Sequence, residues 1–355
     1  MHPVHERVLE VIERGESDAF EACALEVFRH QYETIEPYRA WCEEQGIRLE
    51  AVRRWQEIPP VPAVALKYRE FACALPQRVF LSSGTTQGGE RRSRHAVPEL
   101  RLYEASAIRG LERFLFPDVD RLAVFSLIPS ASVWPQSSLA QMVTWAVERF
   151  GTPQSRFFAT DGQFEFEPLC EALQDASRRA ERVCLMTTTA ALVRFLDFCQ
   201  ERQWRIRLPH GSRVMDTGGA KGMPRPLSRR GLLHAVWQVL AVPGYFVVNE
   251  YGMSELSSQF YDSVIADRWA GRFAPRRLLA PPWMRTRVLD PQRLVDLPEG
   301  EVGLLCHVDL ANAGSVLALL TEDVGRIVGD GIELLGRAPQ AEARGCSLAT
   351  MGFQS

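Results

Sequence analysis

Several absences narrow the possibilities before any motif is read. The eight cysteines, Cys23, Cys42, Cys73, Cys170, Cys184, Cys199, Cys306 and Cys346, form no CxxC pair, and several lie in apolar runs such as Val183-Cys184-Leu185-Met186. That spacing argues against a disulfide framework or a zinc site and for reduced core thiols in a cytoplasm. No apolar run approaches the roughly 18 residues of a membrane-spanning helix. His2, His5, Glu6 and Arg7 precede a short amphipathic stretch that lacks the apolar core and small-residue cleavage site of a signal peptide. A cytoplasmic location is the expectation. Charge of one sign is also missing: 41 basic and 44 acidic residues leave a net charge of −3, so no field steers the molecule toward nucleic acid or an anionic membrane. There is no internal repeat and no low-complexity segment.

What is present suits a globular protein. With 46% hydrophobic and 24% charged residues over 355 positions, the chain can bury the core of one large or two modest domains. Residues 4 to 50 show apolar positions at helical spacing (Val8, Leu9, Ile12, then Phe20, Cys23, Leu25, Val27, Phe28). The segment Ile58-Pro59-Pro60-Val61-Pro62 breaks that pattern, because proline lacks an amide donor and restricts the residue before it; it reads as a rigid connector. Beyond it, short β-rich runs end in small polar loops followed by helix-like stretches: Val79-Phe80-Leu81 into SSGTT, Leu122 to Ile128 into PSAS, Val183 to Met186 into TTTA, Val214-Met215 into DTGGAKG, and Phe246-Val247-Val248 into NEYGMSE. The alternation predicts an α/β fold whose ligands bind in the loops after the strands. The last third is richer in strands (302–308, 315–320, 332–335), with Gly329-Asp330-Gly331 suited to a hairpin turn. Three parts are expected: a helical N-terminal segment 1–55, an α/β core 56–285, and a β subdomain with a C-terminal tail 286–355.

The stretch Ser82-Ser83-Gly84-Thr85-Thr86-Gln87-Gly88-Gly89 packs four hydroxyls and three glycines directly after an apolar run. Glycine lets backbone amides approach a phosphate, and hydroxyls donate to its oxygens. The GxxxxGK[ST] spacing and its lysine are absent, which excludes a standard P-loop ATPase. Downstream stand Gly218-Gly219-Ala220, Tyr251-Gly252-Met253-Ser254-Glu255, Thr321-Glu322-Asp323-Val324-Gly325 and Gly336-Arg337. Singly, each has a plain structural reading: Tyr251 as a core aromatic, Glu255 as a carboxylate at a helix N-terminus, Asp323 as a turn residue.

In this order and spacing the set resembles the adenylate-forming superfamily of acyl-CoA synthetases, adenylation domains and firefly-type luciferases. The resemblance implies an adenylate-forming N-terminal-domain fold with a helical N-terminus, α/β layers and a small C-terminal β subdomain. It also implies ATP and Mg2+. By the same likeness, Ser82, Ser83, Gly84, Thr85 and Thr86 cradle the β- and γ-phosphates, and Tyr251 packs on adenine beside Gly252. Ser254 meets the α-phosphate and Glu255 holds magnesium. Asp323 accepts from the ribose hydroxyls, Gly218 and Gly219 lie beside adenine and the acyl chain, and Arg337 faces ribose or phosphate. A carboxylate suits a hard cation that neutralises departing pyrophosphate.

The superfamily's usual mobile C-terminal domain, with its lysine, is expected to be absent. Lys221, after the two glycines, is the candidate to take over that lysine's work as a point charge on phosphate; a surface lysine is the alternative. Arg91, Arg92, Arg94 and His95 follow the phosphate loop closely enough to touch pyrophosphate, with solvated surface the commoner outcome. Ser137-Ser138-Leu139 is read as the cap of a helix lining an acyl pocket.

The connector at 59–62, SLIPSASVWPQSSLAQM at 126–142, DTGGAKG at 216–222 and GRAPQAEARGCSLA at 336–349 resemble the LuxE-type acyl-protein synthetase family. That likeness implies activation of a carboxylic acid, by family default a fatty acid, to acyl-AMP. The acyl group then passes to Cys346, with an acyl reductase or acyl carrier protein as partner. Arg344 beside Cys346 would favour the thiolate. The alternatives are a synthetase that loads coenzyme A or a carrier-protein thiol, with Cys346 an inert buried thiol, and a non-catalytic nucleotide-binding subunit.

Overall fold

The computed structural model describes residues 1–82, 92–219 and 227–338. They fall into two compact units, unit 1 within Met1–Arg109, Met253–Gln259 and Leu279–Ser355, and unit 2 within Gly110–Gly252 and Phe260–Leu278.

Where the periodicity of residues 4 to 50 predicts two or three helices, unit 1 begins with three, α1 (Pro3–Arg14), α2 (Phe20–Thr34) and α3 (Glu36–Glu44). Pro3 starts α1 where its missing amide costs nothing, and Gly15 closes it in the left-handed region at φ 66°. Val8, Ile12, Cys23, Val27, Phe28 and Tyr38 bury their side chains in one cluster with Leu66, Phe71, Leu310 and Leu319. Gln31 binds this helical layer to the connecting segment 312–317: its Nε2 donates to the carbonyls of Asn312 and Ala313, both at 3.0 Å, and its Oε1 accepts from the Leu317 amide at 3.0 Å. The proline-rich connector is itself paired, since β1 (Val61–Pro62) lies parallel to a later strand with Val61 opposite Leu319.

Next come β2 (Arg78–Leu81) and β3 (Arg94–Val97), an antiparallel pair with Leu81 opposite Arg94. The phosphate-loop motif therefore joins two hairpin strands, not a strand and a helix as the α/β alternation suggested. The helix comes afterwards, as α4 (Leu100–Phe114).

In unit 2, β4 (Ala123–Ser126) is followed by α5 (Ser138–Phe150), which Ser137 caps by accepting from the Ala140 amide at 3.2 Å, as its sequence predicts. The short strand β5 (Arg156–Phe157) and the small hairpin β6 (Ala159–Thr160) with β7 (Gln163–Phe164) lead to α6 (Phe166–Arg178). Then follow β8 (Val183–Thr188), α7 (Thr189–Glu201), β9 (Arg213–Thr217), α8 (Arg229–Leu240), β10 (Val247–Tyr251), β11 (Phe260–Asp262) and α9 (Val264–Trp269). Strands β5, β4, β8, β9 and β10 are parallel neighbours in that order, and β11 runs antiparallel to β10. Val183 through Thr187 are buried without a break, as expected of a parallel strand covered on both faces.

The strand β12 (Leu278–Leu279) returns the chain to unit 1. There β13 (Met284–Leu289), β14 (Gly303–Asp309), β15 (Ala318–Val328) and β16 (Gly331–Arg337) form an antiparallel meander, β15 and β16 joined through Gly329-Asp330. Among the described residues no helix is long and apolar enough to cross a membrane.

Candidate active site

The motif residues of unit 1 meet around Glu255. This side chain is buried, and burial pushes its carboxyl above the usual carboxylate range; a hydrogen bond from Ser93 and the nearby Arg337 oppose the rise, while Asp323 adds to it. Ser93 in turn ties Glu255 to the phosphate loop, because its amide donates to Ser82 Oγ at 3.0 Å and its carbonyl accepts from the Ser82 amide at 3.1 Å. Arg337, at the end of β16, lies 3.5 Å from Asp323 on β15. Thr321 Oγ1 accepts from the Asp323 amide at 3.0 Å and donates to the Leu305 carbonyl at 2.8 Å. Glu255 and Asp323 stand together among hydroxyl and carbonyl oxygens, a set of oxygen donors whose chemistry fits a hard divalent cation.

The backbone carrying Glu255 is pinned from three directions. His95 contacts the Ser254 carbonyl through Nδ1 at 2.9 Å, and Asn312 Nδ2 donates to the Glu255 carbonyl at 2.9 Å. Asp309 accepts from the amides of Ser257 (3.1 Å) and Ser258 (2.8 Å) and from Ser258 Oγ (2.6 Å). Burial raises the Asp309 carboxyl to about 6, and those donors restrain the rise. Burial also lowers His95 to about 4, against the pull of the Ser254 carbonyl, so its imidazole is neutral at pH 7 and supports the loop without adding charge.

In unit 2 the ends of β8, β9 and β10 carry a second polar cluster. Thr189 Oγ1 lies 2.9 Å from Asp216 Oδ2 and 2.9 Å from the Gly218 carbonyl. Gly218 has φ +87°, a conformation that glycine adopts without the side-chain clash other residues meet. Asn249 Nδ2 donates to Asp216, while Arg229 pairs with Asp216 at 2.6 Å and Asp262 at 3.2 Å. Thr217 donates to Glu250, whose carboxyl burial raises to about 7. Next to Glu250, Tyr251 is buried with its ring 5.5 Å from that of Phe260.

Of the residues singled out in the sequence, unit 1 thus brings together Ser82, Glu255, Asp323 and Arg337, with Ser254 on the same turn as Glu255. Unit 2 holds Gly218, Gly219, Tyr251 and Gly252. Ser83, Gly84, Thr85, Thr86, Lys221 and Cys346 lie outside the described residues. His95 is buried under the Glu255 turn and is not solvated surface. Arg92 donates to the carbonyls of Ser82 and Leu81, and Arg94 faces Glu70 at 3.6 Å. Ser93, Asp309 and Asn312 carried no sequence signal, since a lone serine or a buried Asp within VDLANAG matches no motif.

The fold is that of the N-terminal domains of adenylate-forming enzymes. The solved structure of 2-hydroxyisobutyryl-CoA ligase with 2-HIB-AMP and CoA aligns with a TM-score of 0.65 at 16% identity, covering 96% of this chain and 70% of that one. The family model for acyl-protein synthetase, LuxE, matches residues 4–352, and the chain belongs to that family. Its relatives include the long-chain-fatty-acid–luciferin-component ligase of Aliivibrio fischeri, 20% identical over 359 residues and covering 91% of this chain and 85% of the relative. The Vibrio harveyi protein of the same name is 19% identical over 356 residues, covering 91% and 84%. The chain is accordingly an AMP-forming ligase that makes an acyl-adenylate and passes the acyl group to a thiol.

Proposed function

We propose that the acid is a long-chain fatty acid, that Mg-ATP is the activating substrate, and that the first acyl acceptor is Cys346 of the chain itself. The observation that carries this reading is the convergence of Ser82, Ser93, Glu255, Asp323 and Arg337 in unit 1 from four separate stretches of sequence. The Aliivibrio and Vibrio relatives, named as ligases of a long-chain fatty acid and a luciferin component, support the fatty acid and a protein partner. An acyl reductase or an acyl carrier protein fits that partner, and a cytoplasmic setting fits the reaction.

In the first half-reaction a carboxylate oxygen of the acid attacks the α-phosphorus of ATP, and the bond to pyrophosphate breaks. Ser82 to Thr86 hold the β- and γ-phosphates through hydroxyls and amides, and Ser254 holds the α-phosphate. Asp323 accepts from the ribose hydroxyls with Arg337 beside it. Glu255 is the proposed Mg2+ ligand, and the ion, when bound, would offset charge on the departing pyrophosphate. Tyr251 and Gly252 serve the adenine, Gly218 and Gly219 the adenine and acyl chain, and Lys221 supplies a point charge to phosphate. In the second half-reaction the Cys346 sulfur, after losing its proton, attacks the acyl carbon; a C–S bond forms and AMP leaves with the electron pair of the C–O bond.

Pyrophosphate exchange and intact-protein mass separate the two halves. Glu255→Gln should lower fatty-acid-dependent ATP–pyrophosphate exchange by about 100-fold or more, whereas Cys346→Ala should keep exchange and lose the acyl mass on the chain. Equal loss of exchange in both variants would overturn this division of roles. Acyl mass found only on added coenzyme A or carrier protein would remove Cys346 as the acceptor.

A further inference from the structure

Three side chains that adenylation does not use meet within unit 1: His5 on α1, His30 on α2, and Cys73 in the segment before β2. Each offers one ligand atom, and those atoms all lie within 4.8 Å of one another. Cys73 Sγ is 3.8 Å from His5 Nε2. A sulfur and a nitrogen bound at about 2.3 Å and about 2.0 Å to one tetrahedral zinc stand roughly 3.5–3.9 Å apart, so this pair already has the spacing of two ligands on one ion.

A second observation is independent of that spacing. His30 is 8% exposed, and its Nε2 is buried without a hydrogen-bond partner among the described residues. Buried polar atoms are seldom left in that state, because it forfeits about 1–3 kcal/mol of solvation. The other two donors are fixed from outside, as metal ligands are: the His5 ring bonds the backbone of Ala313, and the Cys73 amide donates to the Gly314 carbonyl at 3.0 Å. His2 adds a further imidazole, its ring stacked on His30 with centroids 4.1 Å apart.

We propose that His5, His30 and Cys73 form a zinc(II) site that fastens α1, α2 and the segment before β2 to one another. On binding, the Cys73 thiol gives its proton to solvent and the imidazoles coordinate as neutral rings, with no change of oxidation state. Thiolate with imidazole favours zinc over the hard cation proposed for Glu255. The absence of CxxC spacing does not bear on this site, because its ligands come from three separated segments.

The test uses the full chain, stripped with chelator and titrated with Zn2+ or Co2+. Elemental analysis after desalting should give about one zinc per chain, and Co2+ should produce a thiolate-to-cobalt charge-transfer band in the near ultraviolet. Cys73→Ser should abolish that band and weaken zinc binding by at least about tenfold while leaving ATP–pyrophosphate exchange unchanged. His30→Gln should weaken binding similarly, and Glu255→Gln should not. A chain that retains no zinc, or whose cobalt spectrum is the same in Cys73→Ser, overturns the proposal.

Discussion

Glu255 illustrates how far one residue's chemistry depends on others that no motif names. A carboxylate held out of water must be given donors or a cation, and here Ser93 and Arg337 supply part of that compensation. Its position is set one layer further out by Asp309, which collects two amides and one hydroxyl from Ser257 and Ser258. Asp309→Ala would strip those three donors of their acceptor in a buried site. The expected cost is about 3–5 kcal/mol of unfolding free energy, read as a lower urea midpoint at unchanged m-value. Asp309→Asn keeps the shape and one acceptor oxygen. It should fold, yet lower exchange activity with a larger effect on kcat than on the KM for fatty acid, because the displaced turn carries Glu255. Unchanged kcat in Asp309→Asn would show that the turn keeps its place without this carboxylate.

At the scale of elements, the strands before the polar loops were legible because buried parallel strands read as continuous apolar runs, and α1 to α3 because their apolar positions recur at helical spacing. The route of the phosphate loop was not legible. Val79-Phe80-Leu81 looks the same whether its partner is parallel or antiparallel, and the pairing with β3 is a non-local choice that residue types do not encode. The stretch from Thr321 to Gly325 was read as a motif and also lies within β15. Its register slips between Val324 and Gly325, where Val324 faces Gly336 and Gly325 faces Leu334. Such a bulge re-aims neighbouring side chains, and it lies beside the Asp323–Arg337 pair. A Cβ added at Gly325 would come within 2.6 Å of the Glu333 carbonyl oxygen and 3.1 Å of a Leu305 methyl. Because the nearest atom is backbone, Gly325→Ala has no cheap relaxation. A loss of about 1–3 kcal/mol is expected, accompanied by a higher KM for ATP as Asp323 and Arg337 part. An alanine variant with wild-type stability and KM would mean that the bulge does not set their geometry.

Over the whole molecule, pH adds a test that concerns the buried histidines. His307 lies fully buried on β14, between Thr286 of β13 and Leu319 of β15, with its Nδ1 3.0 Å from Thr286 Oγ1. Burial lowers its pKa from 6.5 to about 3. The unfolded chain therefore binds a proton at this residue as pH falls below 6.5, while the folded chain does not until far lower pH. Stability from this group is complete above pH 6.5 and is lost on acidification, at about 1.4 kcal/mol per pH unit between pH 6 and pH 4. The raised carboxyls of Asp309 and Glu250 act in the opposite sense, because the folded state holds their protons at pH values where the unfolded state has released them. The wild-type curve is thus a sum of opposed terms, and the informative quantity is the difference made by removing one. Urea unfolding of wild type and His307→Gln should show the variant less stable at pH 7.5 and the gap narrowing by roughly 1–2 kcal/mol by pH 5. Parallel stability curves would mean that His307 gains a proton in the folded state as readily as in the unfolded one, and that the β14 strand admits water at this position.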